Sequence, residues 1–265
     1  MNILVSHESP LCLLDESRNY NDICYALVHL FEKYPAYYAH FRSSVLMNRE
    51  VLLDNSIFEL GKAFESTKFV DWIHKLEPSY YIVPDALEQS AETIESYMNF
   101  TETYSNLPGL KIGVAQGKTY SEITECYKFM SDCADYIAIS FDYSYYQATG
   151  RGNTNLERMM TGRQRLIASM IDDGIWRWDK PVHLLGCSLP QEFRYYVNNN
   201  IYNIRSLDTS NPVMAGIKKM RYAGDLGMTS KPRGLLAEHL DVELDTDQLN
   251  LVKYNLNSFK KIIGR

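Results

Sequence analysis

Four polar residues stand at or just after the ends of short apolar runs in this sequence. They are Asp54, Asp85, Gln116 and Asp208. Carboxyl groups that share a site push one pKa up and leave another ionised, so that one can attack an anomeric carbon while another supplies a proton. A carboxamide beside them offers a donor and an acceptor to a heterocyclic base. The residue types therefore indicate chemistry at a glycosidic bond.

Helix capping is the alternative interpretation of the aspartates. Asp54, Asp85 and Asp208 each precede a helix-like segment, and aspartate is a common N-cap residue. Capping explains any one of them alone, whereas three at separate strand ends, with a glutamine at a fourth, favour a shared site. Phe58 offers either an apolar face for a flat ring or a core side chain. His183 lies within a strand-like run and is expected to be a hydrogen-bonded core residue.

Apolar runs alternate with amphipathic segments along the chain. The strand-like runs cover residues 3–5, 51–53, 80–83, 111–114, 136–139, 182–185 and 203–207. The helix-like segments cover residues 21–34, 67–76, 91–104, 121–130 and 155–171. This alternation predicts βαβ units and a parallel sheet. Seven or eight units in about 250 residues predict a (β/α)8 TIM-type barrel, whose site lies in the loops that leave the carboxyl ends of the strands.

The pattern predicts a single domain over residues 1–265. Residues from about 10 to 48 are long for one crossover and predict a helical insertion, and residues from about 245 to 263 predict a C-terminal helix. Seven strands are identified, and the eighth is not located. No GxGxxG or GxxxxGK[ST] motif follows the first run, which argues against a dinucleotide-binding or P-loop fold.

Composition narrows the class of protein. The 265 residues are 45% hydrophobic and carry a formal charge of -6, as expected for an ordinary globular protein. No apolar run has the length of a membrane span, and the first residues do not resemble a signal peptide, so a cytoplasmic location is expected. The five cysteines form neither a CxxC motif nor a cluster with histidine, so we expect no metal site and no disulfide framework.

Two basic clusters interrupt the acidic composition. The first consists of Arg151, Arg158, Arg163 and Arg165, and the second consists of Lys218, Lys219 and Arg221 and continues to Lys231 and Arg233. They are expected to contact a nucleic-acid backbone, and the residues proposed for that role are Arg158, Arg163, Arg165, Lys218 and Lys219. A solvated helix face is the other interpretation of each cluster.

Four segments, in order, resemble motifs of the tRNA-guanine transglycosylases. LLDNSIFELG resembles their DSGGFQ segment, KIGVAQGKTY resembles GIVQGG, HLLGCSLPQEF resembles YLMGVGxPEDL, and SLDTSNPVMAG stands where they carry FDCVxPTRxxR. The likeness runs from about residue 51 to residue 216. The phage branch, which inserts 7-deazaguanine bases into DNA, is the most similar, because this chain is short and lacks the zinc motif.

The resemblance implies a (β/α)8 barrel that exchanges guanine in a polymer for a 7-deazaguanine base, a pentosyltransferase reaction without a cofactor. It implies that Asp208 is the nucleophile on C1′ and that Asp54 is the general acid and base. It implies that Asp85 and Gln116 read the base, with Phe58 stacked on it and the backbone around Ser140 and Gly186 assisting. The implied partners are DNA rather than tRNA, a free base such as preQ0 or a derivative, and, as in many relatives, a second copy of the chain.

The sequence departs from the family pattern at several positions. The DSGGFQ segment reads Asp54-Asn55-Ser56-Ile57-Phe58-Glu59 in this chain, so Ser56 and Ile57 stand in place of its glycine pair, and Glu59 replaces glutamine. These changes leave the identity of the incoming base open. Two rival interpretations also stay open: a nucleoside N-glycosidase or hydrolase that uses the same carboxylates, and a nucleic-acid-binding relative without catalysis.

Overall fold

The computed structural model describes residues 2–265, and its frame is a set of eight parallel strands. The strands are β1 (Leu4–Ser6), β2 (Cys24–Leu27), β3 (Val51–Asp54), β4 (Tyr80–Ile82), β5 (Leu110–Val114), β6 (Tyr136–Ser140), β7 (Val182–Leu185) and β8 (Ile204–Asp208). Their order in the sheet is β1-β8-β7-β6-β5-β4-β3-β2. With helices alternating between the strands, this is a nearly closed (β/α)8 barrel, and the predicted fold class is confirmed.

Twelve α-helices occur in the described part of the chain. They are α1 (Leu14–Tyr20), α2 (His29–Lys33), α3 (Pro35–Leu46), α4 (Ile57–Leu60), α5 (Ser66–Leu76), α6 (Ser90–Thr103), α7 (Tyr120–Cys133), α8 (Ser144–Thr149), α9 (Asn155–Asp172), α10 (Phe193–Asn198), α11 (Asn211–Ile217) and α12 (Thr246–Ile262). Short 3-10 turns occupy Leu11–Leu13, Pro190–Glu192, Gly224–Leu226 and Leu236–His239. None of the helices in residues 2–265 is both long enough and apolar enough to span a membrane.

Reciprocal side-chain caps explain where three of the long helices begin. Thr119 caps α7 together with Glu122, and Thr154 caps α9 together with Glu157. Asp245 caps α12 in the same way. Each cap satisfies backbone N–H groups that have no partner within the helix. The predicted C-terminal helix over about 245–263 is thereby confirmed.

The strand that sequence analysis did not locate is β2. It pairs with β3 in parallel, with Cys24 opposite Val51 and Leu27 opposite Asp54, and all four of its residues are buried. The prediction of a helix over residues 21–34 is therefore wrong for its first half, and α2 begins only at His29. A short, fully buried strand has no alternation of polar and apolar residues that would distinguish it from a helix. The segment 10–48 thus holds a barrel strand as well as helices.

The chain divides into two compact units. The central unit comprises Ile23–Ser140 and Lys180–Val182, and the terminal unit comprises the segment that ends at Asp22 together with Phe141–Asp179 and His183–Arg265. Within the central unit, strands β2 to β6 pair in sequence order. Within the terminal unit, β1 pairs with β8. The expectation of a single domain stays a prediction.

The close packing of α11 on α12 in the terminal unit depends on Gly216. A Cβ atom at this position would lie 2.4 Å from Val252 Cγ2 and 2.7 Å from the Val252 backbone nitrogen. The helices therefore approach more closely than any other residue would allow.

We expect Gly216→Val to lower the free energy of unfolding by about 1–3 kcal/mol, because the added side chain overpacks this contact. Urea unfolding at 25 °C measures the change. Ala91→Val, at an exposed position of α6, is the matched control and should cost only about 0.5 kcal/mol. Equal losses in the two variants would contradict the packing argument.

Candidate functional site

Asp54 ends strand β3 with both carboxylate oxygens engaged. The Tyr25 hydroxyl donates to Oδ2 at 2.6 Å, and the Ser56 backbone N–H donates to Oδ1 at 2.5 Å. Ser56 adopts the left-handed conformation, with φ of 61°, which turns its N–H back toward Asp54. Asp54 is only 6% exposed. Its carboxylate is therefore held in one orientation by the neighbouring strand and by its own loop.

Asp85 is held between two carboxamides. Asn55 Nδ2 donates to Oδ1 at 2.8 Å, and Gln116 Nε2 donates to Oδ2 at 2.7 Å. The amide oxygens are occupied elsewhere: Asn55 Oδ1 accepts from the Ile57 N–H, and Gln116 Oε1 accepts from the Glu88 N–H. Those backbone donors determine how each amide group is turned, so both NH₂ groups face the carboxylate. The central unit thus brings together two residues predicted for base reading, Asp85 and Gln116.

Burial raises the pKa of the Asp85 carboxyl group, and the hydrogen bonds from Asn55 and Gln116 oppose that shift. Both carboxamides are neutral, so they bind the carboxylate without supplying a positive charge. A carboxylate oxygen can accept more than one hydrogen bond, and Asp85 therefore retains acceptor capacity for further N–H or O–H donors.

Asp208 ends strand β8 in the terminal unit. Its Oδ1 lies 3.0 Å from His183 Nε2 and accepts a hydrogen bond from the Gly186 N–H at 3.1 Å. The other ring nitrogen of His183 pairs with Ser206 Oγ at 2.8 Å. Among residues 2–265, no group donates a hydrogen bond to the second oxygen, Oδ2. One oxygen of this buried carboxylate is therefore held by two contacts, and the other has no hydrogen-bond donor among the described residues.

None of the three aspartates caps the helix that follows it. The N-cap residues of α4, α6 and α11 are Ser56, Gln89 and Ser210. The capping interpretation is therefore wrong for Asp54, Asp85 and Asp208. The expectation that all three face one cavity stays a prediction.

Gly186 shapes the loop beside Asp208. Its φ is 57°, and a Cβ atom there would lie 2.5 Å from Cδ1 of the Phe141 ring. Glycine is the residue that combines this backbone conformation with so close an aromatic neighbour. The loop can therefore direct the Gly186 N–H at the carboxylate.

Arg163 is not on the surface, contrary to expectation. Its side chain is 0% exposed, and Nε lies 2.6 Å from Glu192 Oε1. The guanidinium also donates to the carbonyl oxygens of Leu185 and Gly186, each at 2.9 Å. A phosphate contact by Arg163 is excluded by this burial, which corrects the sequence prediction. Because the Leu185–Gly186 peptide accepts from Arg163 and donates to Asp208, Arg163 supports the carboxylate instead.

The other predicted nucleic-acid contacts lie on or near the surface. Arg158 is half-buried beside Asn155, and Arg165 is exposed and donates to the Thr149 carbonyl oxygen. Lys218 Nζ lies 2.8 Å from His239 Nε2, and Lys219 Nζ lies 2.8 Å from Asp245 Oδ2. Both lysines are exposed, as Phe58 is at 42%, while Ser140 is half-buried at the end of β6. The roles expected of all these residues stay predictions.

Several residues of the candidate site were missed by sequence reasoning or given no role in it. Tyr25 was missed because its strand was predicted to be helical, whereas Asn55 is adjacent to Asp54 and was treated only as a departure from a motif. His183 is a hydrogen-bonded core residue as expected, but one of its partners is Asp208. Within residues 2–265, no group of three or more histidine, cysteine or acidic residues is arranged to hold a metal ion.

No family model matches this chain, and no curated protein matches it. Among solved structures, the chain is similar to a mandelate racemase/muconate lactonizing enzyme-like protein from Rubrobacter xylanophilus DSM 9941, with 15% sequence identity and a TM-score of 0.41. The match covers 83% of this chain and 50% of that one, so this chain spans about half the length of that protein. This likeness carries no argument about activity.

The first prediction from the site concerns the pH dependence of stability. Because the pKa of Asp85 is raised in the folded protein, the native state binds more protons than the unfolded state between about pH 3.8 and the raised folded pKa. Stability from this group is therefore lost as pH rises from about 3.8 through the raised folded pKa. We expect the unfolding free energy of Asp85→Asn minus that of the parent protein to increase as pH rises across this window, because the variant lacks the carboxyl group whose ionisation destabilises the folded state. Urea unfolding in steps from about pH 4 to 8 measures it, and a constant difference contradicts it.

The second prediction concerns the buried ion pair. Arg163→Met should lower the unfolding free energy by about 3–5 kcal/mol, because it leaves the Glu192 carboxylate buried without a counter-charge. Adding Glu192→Gln to Arg163→Met should restore part of this loss. A double-mutant cycle by denaturant unfolding measures the coupling. Strictly additive losses would show that the two side chains do not depend on each other.

Proposed function

We propose that this protein is a base-exchange glycosyltransferase that replaces guanine in a nucleic acid, DNA rather than tRNA, with a 7-deazaguanine base. The observation that supports the proposal is the environment of Asp208. His183 and the Gly186 N–H hold one oxygen of this buried carboxylate, and the other oxygen accepts no hydrogen bond from the described residues. A nucleophile in a double displacement needs such a fixed carboxylate with one accessible lone pair.

In the proposed first step, Asp208 Oδ2 attacks C1′ of the sugar. The bond between C1′ and the guanine nitrogen breaks, and its electron pair leaves with the base, which takes a proton from an acid assigned to Asp54. The sugar is then esterified to Asp208, and the polymer backbone is intact. In the second step Asp54, now a carboxylate, accepts the N–H proton of the incoming 7-deazaguanine, whose nitrogen attacks C1′ and displaces the Asp208 carboxylate. Two inversions retain the configuration at C1′.

Asp85 and Gln116 are assigned to base recognition. The Asp85 carboxylate accepts hydrogen bonds and has no positive partner among its hydrogen-bonded neighbours, which suits it to the N–H groups on the edge of guanine or a 7-deazaguanine. Burial raises the pKa of Asp85. At lower pH part of the protein molecules therefore carry a protonated Asp85, which would weaken such recognition.

A second candidate is hydrolysis of a small nucleoside by the same aspartate. The positions of two basic residues favour this candidate, because Arg163 is buried and Lys219 is paired with Asp245. Fewer cations than expected are thus free to neutralise a phosphate backbone. In that reaction water, rather than a second base, would attack the ester.

The experiment follows labelled guanine in a single-stranded oligonucleotide incubated with a panel of 7-deazaguanine bases. Asp208→Asn should reduce base exchange by about 10³-fold or more and abolish the covalent adduct seen on a denaturing gel, because the amide is a poor nucleophile. Asp241→Asn, at an exposed position, is the control and should behave like the parent. Full exchange by Asp208→Asn would overturn the assignment, and release of guanine from free nucleoside alone would favour hydrolysis.

A further inference from the structure

Lys231 differs from the other lysines of the second basic cluster. It lies between the 3-10 turns Gly224–Leu226 and Leu236–His239, in the terminal unit, and it is partly buried. Its Nζ atom lies 4.0 Å from the centroid of the Phe141 ring. Within residues 2–265, the ammonium group makes no ion pair and donates no hydrogen bond. A ring face is its direct partner.

Phe141 connects this amine to the nucleophile of the proposed reaction. The Phe141 ring fills the space beside Gly186, where a Cβ atom would lie 2.5 Å away. The Gly186 N–H in turn donates to Asp208 Oδ1. Cys187, the next residue, pairs through Sγ with Thr209 Oγ1 at 3.2 Å, directly after Asp208. The Lys231 ammonium group therefore contacts Phe141, whose ring lies beside Gly186, the residue that donates to Asp208 at the end of β8.

The charge and the contacts of the Lys231 amine are compatible with a bound anion. Burial lowers the pKa of its amine, while Cys187 and the carboxylates of Asp142 and Glu8 act in the opposite direction and Arg163 adds to the lowering. A cation–π contact contributes about 0.5–2 kcal/mol and satisfies none of the three N–H donors. Lys231 is only partly buried, and its Nζ atom is not shielded from solvent, so these donors are accessible to a ligand. A bound anion would accept hydrogen bonds from them and supply the opposite charge.

We propose that Lys231 and Phe141 form an anion subsite that binds a phosphodiester of the polynucleotide beside the sugar attacked by Asp208. The inference rests on the proposed function, because the ligand is the phosphate that joins the attacked nucleotide to its neighbour. The phosphate oxygens accept hydrogen bonds from the ammonium group, and the Phe141 ring keeps the amine at this position. A free nucleoside has no such phosphate, so the subsite favours a polymer over a nucleoside.

The test compares the parent protein with Lys231→Met, whose aliphatic stem can still pack on Phe141, and with Lys231→Arg. Fluorescence anisotropy measures binding of a single-stranded oligonucleotide with one guanine over a series of KCl concentrations. Lys231→Met should weaken binding by about 10-fold or more, because a charge-assisted hydrogen bond is lost. The slope of log affinity against log salt should become shallower by about 0.7, and Lys231→Arg should restore it.

Lys128→Met is the matched control, since Lys128 is exposed on α7 and belongs to neither cluster. It should leave both affinity and salt slope unchanged. A salt slope in Lys231→Met equal to that of the parent would overturn the subsite. Inorganic phosphate should compete with the oligonucleotide in the parent and lose that effect in Lys231→Met. Equal competition in both would assign anion binding to another place and would also overturn the proposal.

The outcomes separate this inference from the proposed function. Oligonucleotide binding that depends on Lys231, without any base exchange by the parent protein, would overturn the exchange reaction and support the subsite. Base exchange that is insensitive to Lys231→Met would support the reaction and overturn the subsite. A parent protein that binds no oligonucleotide would overturn both.

Discussion

The buried ion pair between Arg163 and Glu192 is the interaction on which the surroundings of Asp208 depend. Neither side chain is more than 1% exposed, so the cost of removing both charges from water must be offset by contacts within the protein. Glu192 Oε1 accepts from Arg163 and from the Tyr196 hydroxyl, and the guanidinium also donates to the carbonyl oxygens of Leu185, at the end of β7, and Gly186. The pair thereby joins α9 to the loop whose peptide N–H meets Asp208. An arginine is suited to this role because its planar fork can serve a carboxylate and two carbonyl oxygens at once.

Two different solutions orient the acids of the two units. Asp85 is surrounded by neutral carboxamides, which hold its position and leave its charge uncompensated, so burial raises its pKa. Asp208 instead takes its contacts from a histidine and from a backbone N–H that is itself polarised by a guanidinium. Hydrogen bonds in such a chain strengthen one another in a medium of low dielectric constant. The first arrangement suits recognition by hydrogen bonding, and the second suits a carboxylate that must keep one orientation.

Sequence patterns were sufficient for most elements of the barrel and for the acids at its strand ends. Seven strands and the long helices follow from periodicity, because their lengths and their apolar stripes differ clearly. The pattern failed where burial was uniform: β2 has four buried residues and no polar face. It also failed for Arg163, since a charged residue in an amphipathic segment is ordinarily solvated and its buried partner lies far along the chain at Glu192. The hydrogen bonds to Asp54 and Asp85 required the strand register, which no local pattern supplies.

The backbone conformation of Ser56, which positions Asp54, affects the stability of the folded protein. A serine held at a left-handed φ of 61° costs about 1 kcal/mol relative to a helical or extended backbone. Glycine would adopt the same turn without that steric cost, but it would bring greater freedom to the unfolded chain and remove a hydroxyl that lies 3.4 Å from the His29 N–H. The rigid placement of Asp54 and the stability of the folded chain therefore depend on the same backbone position, where the choice between serine and glycine affects both.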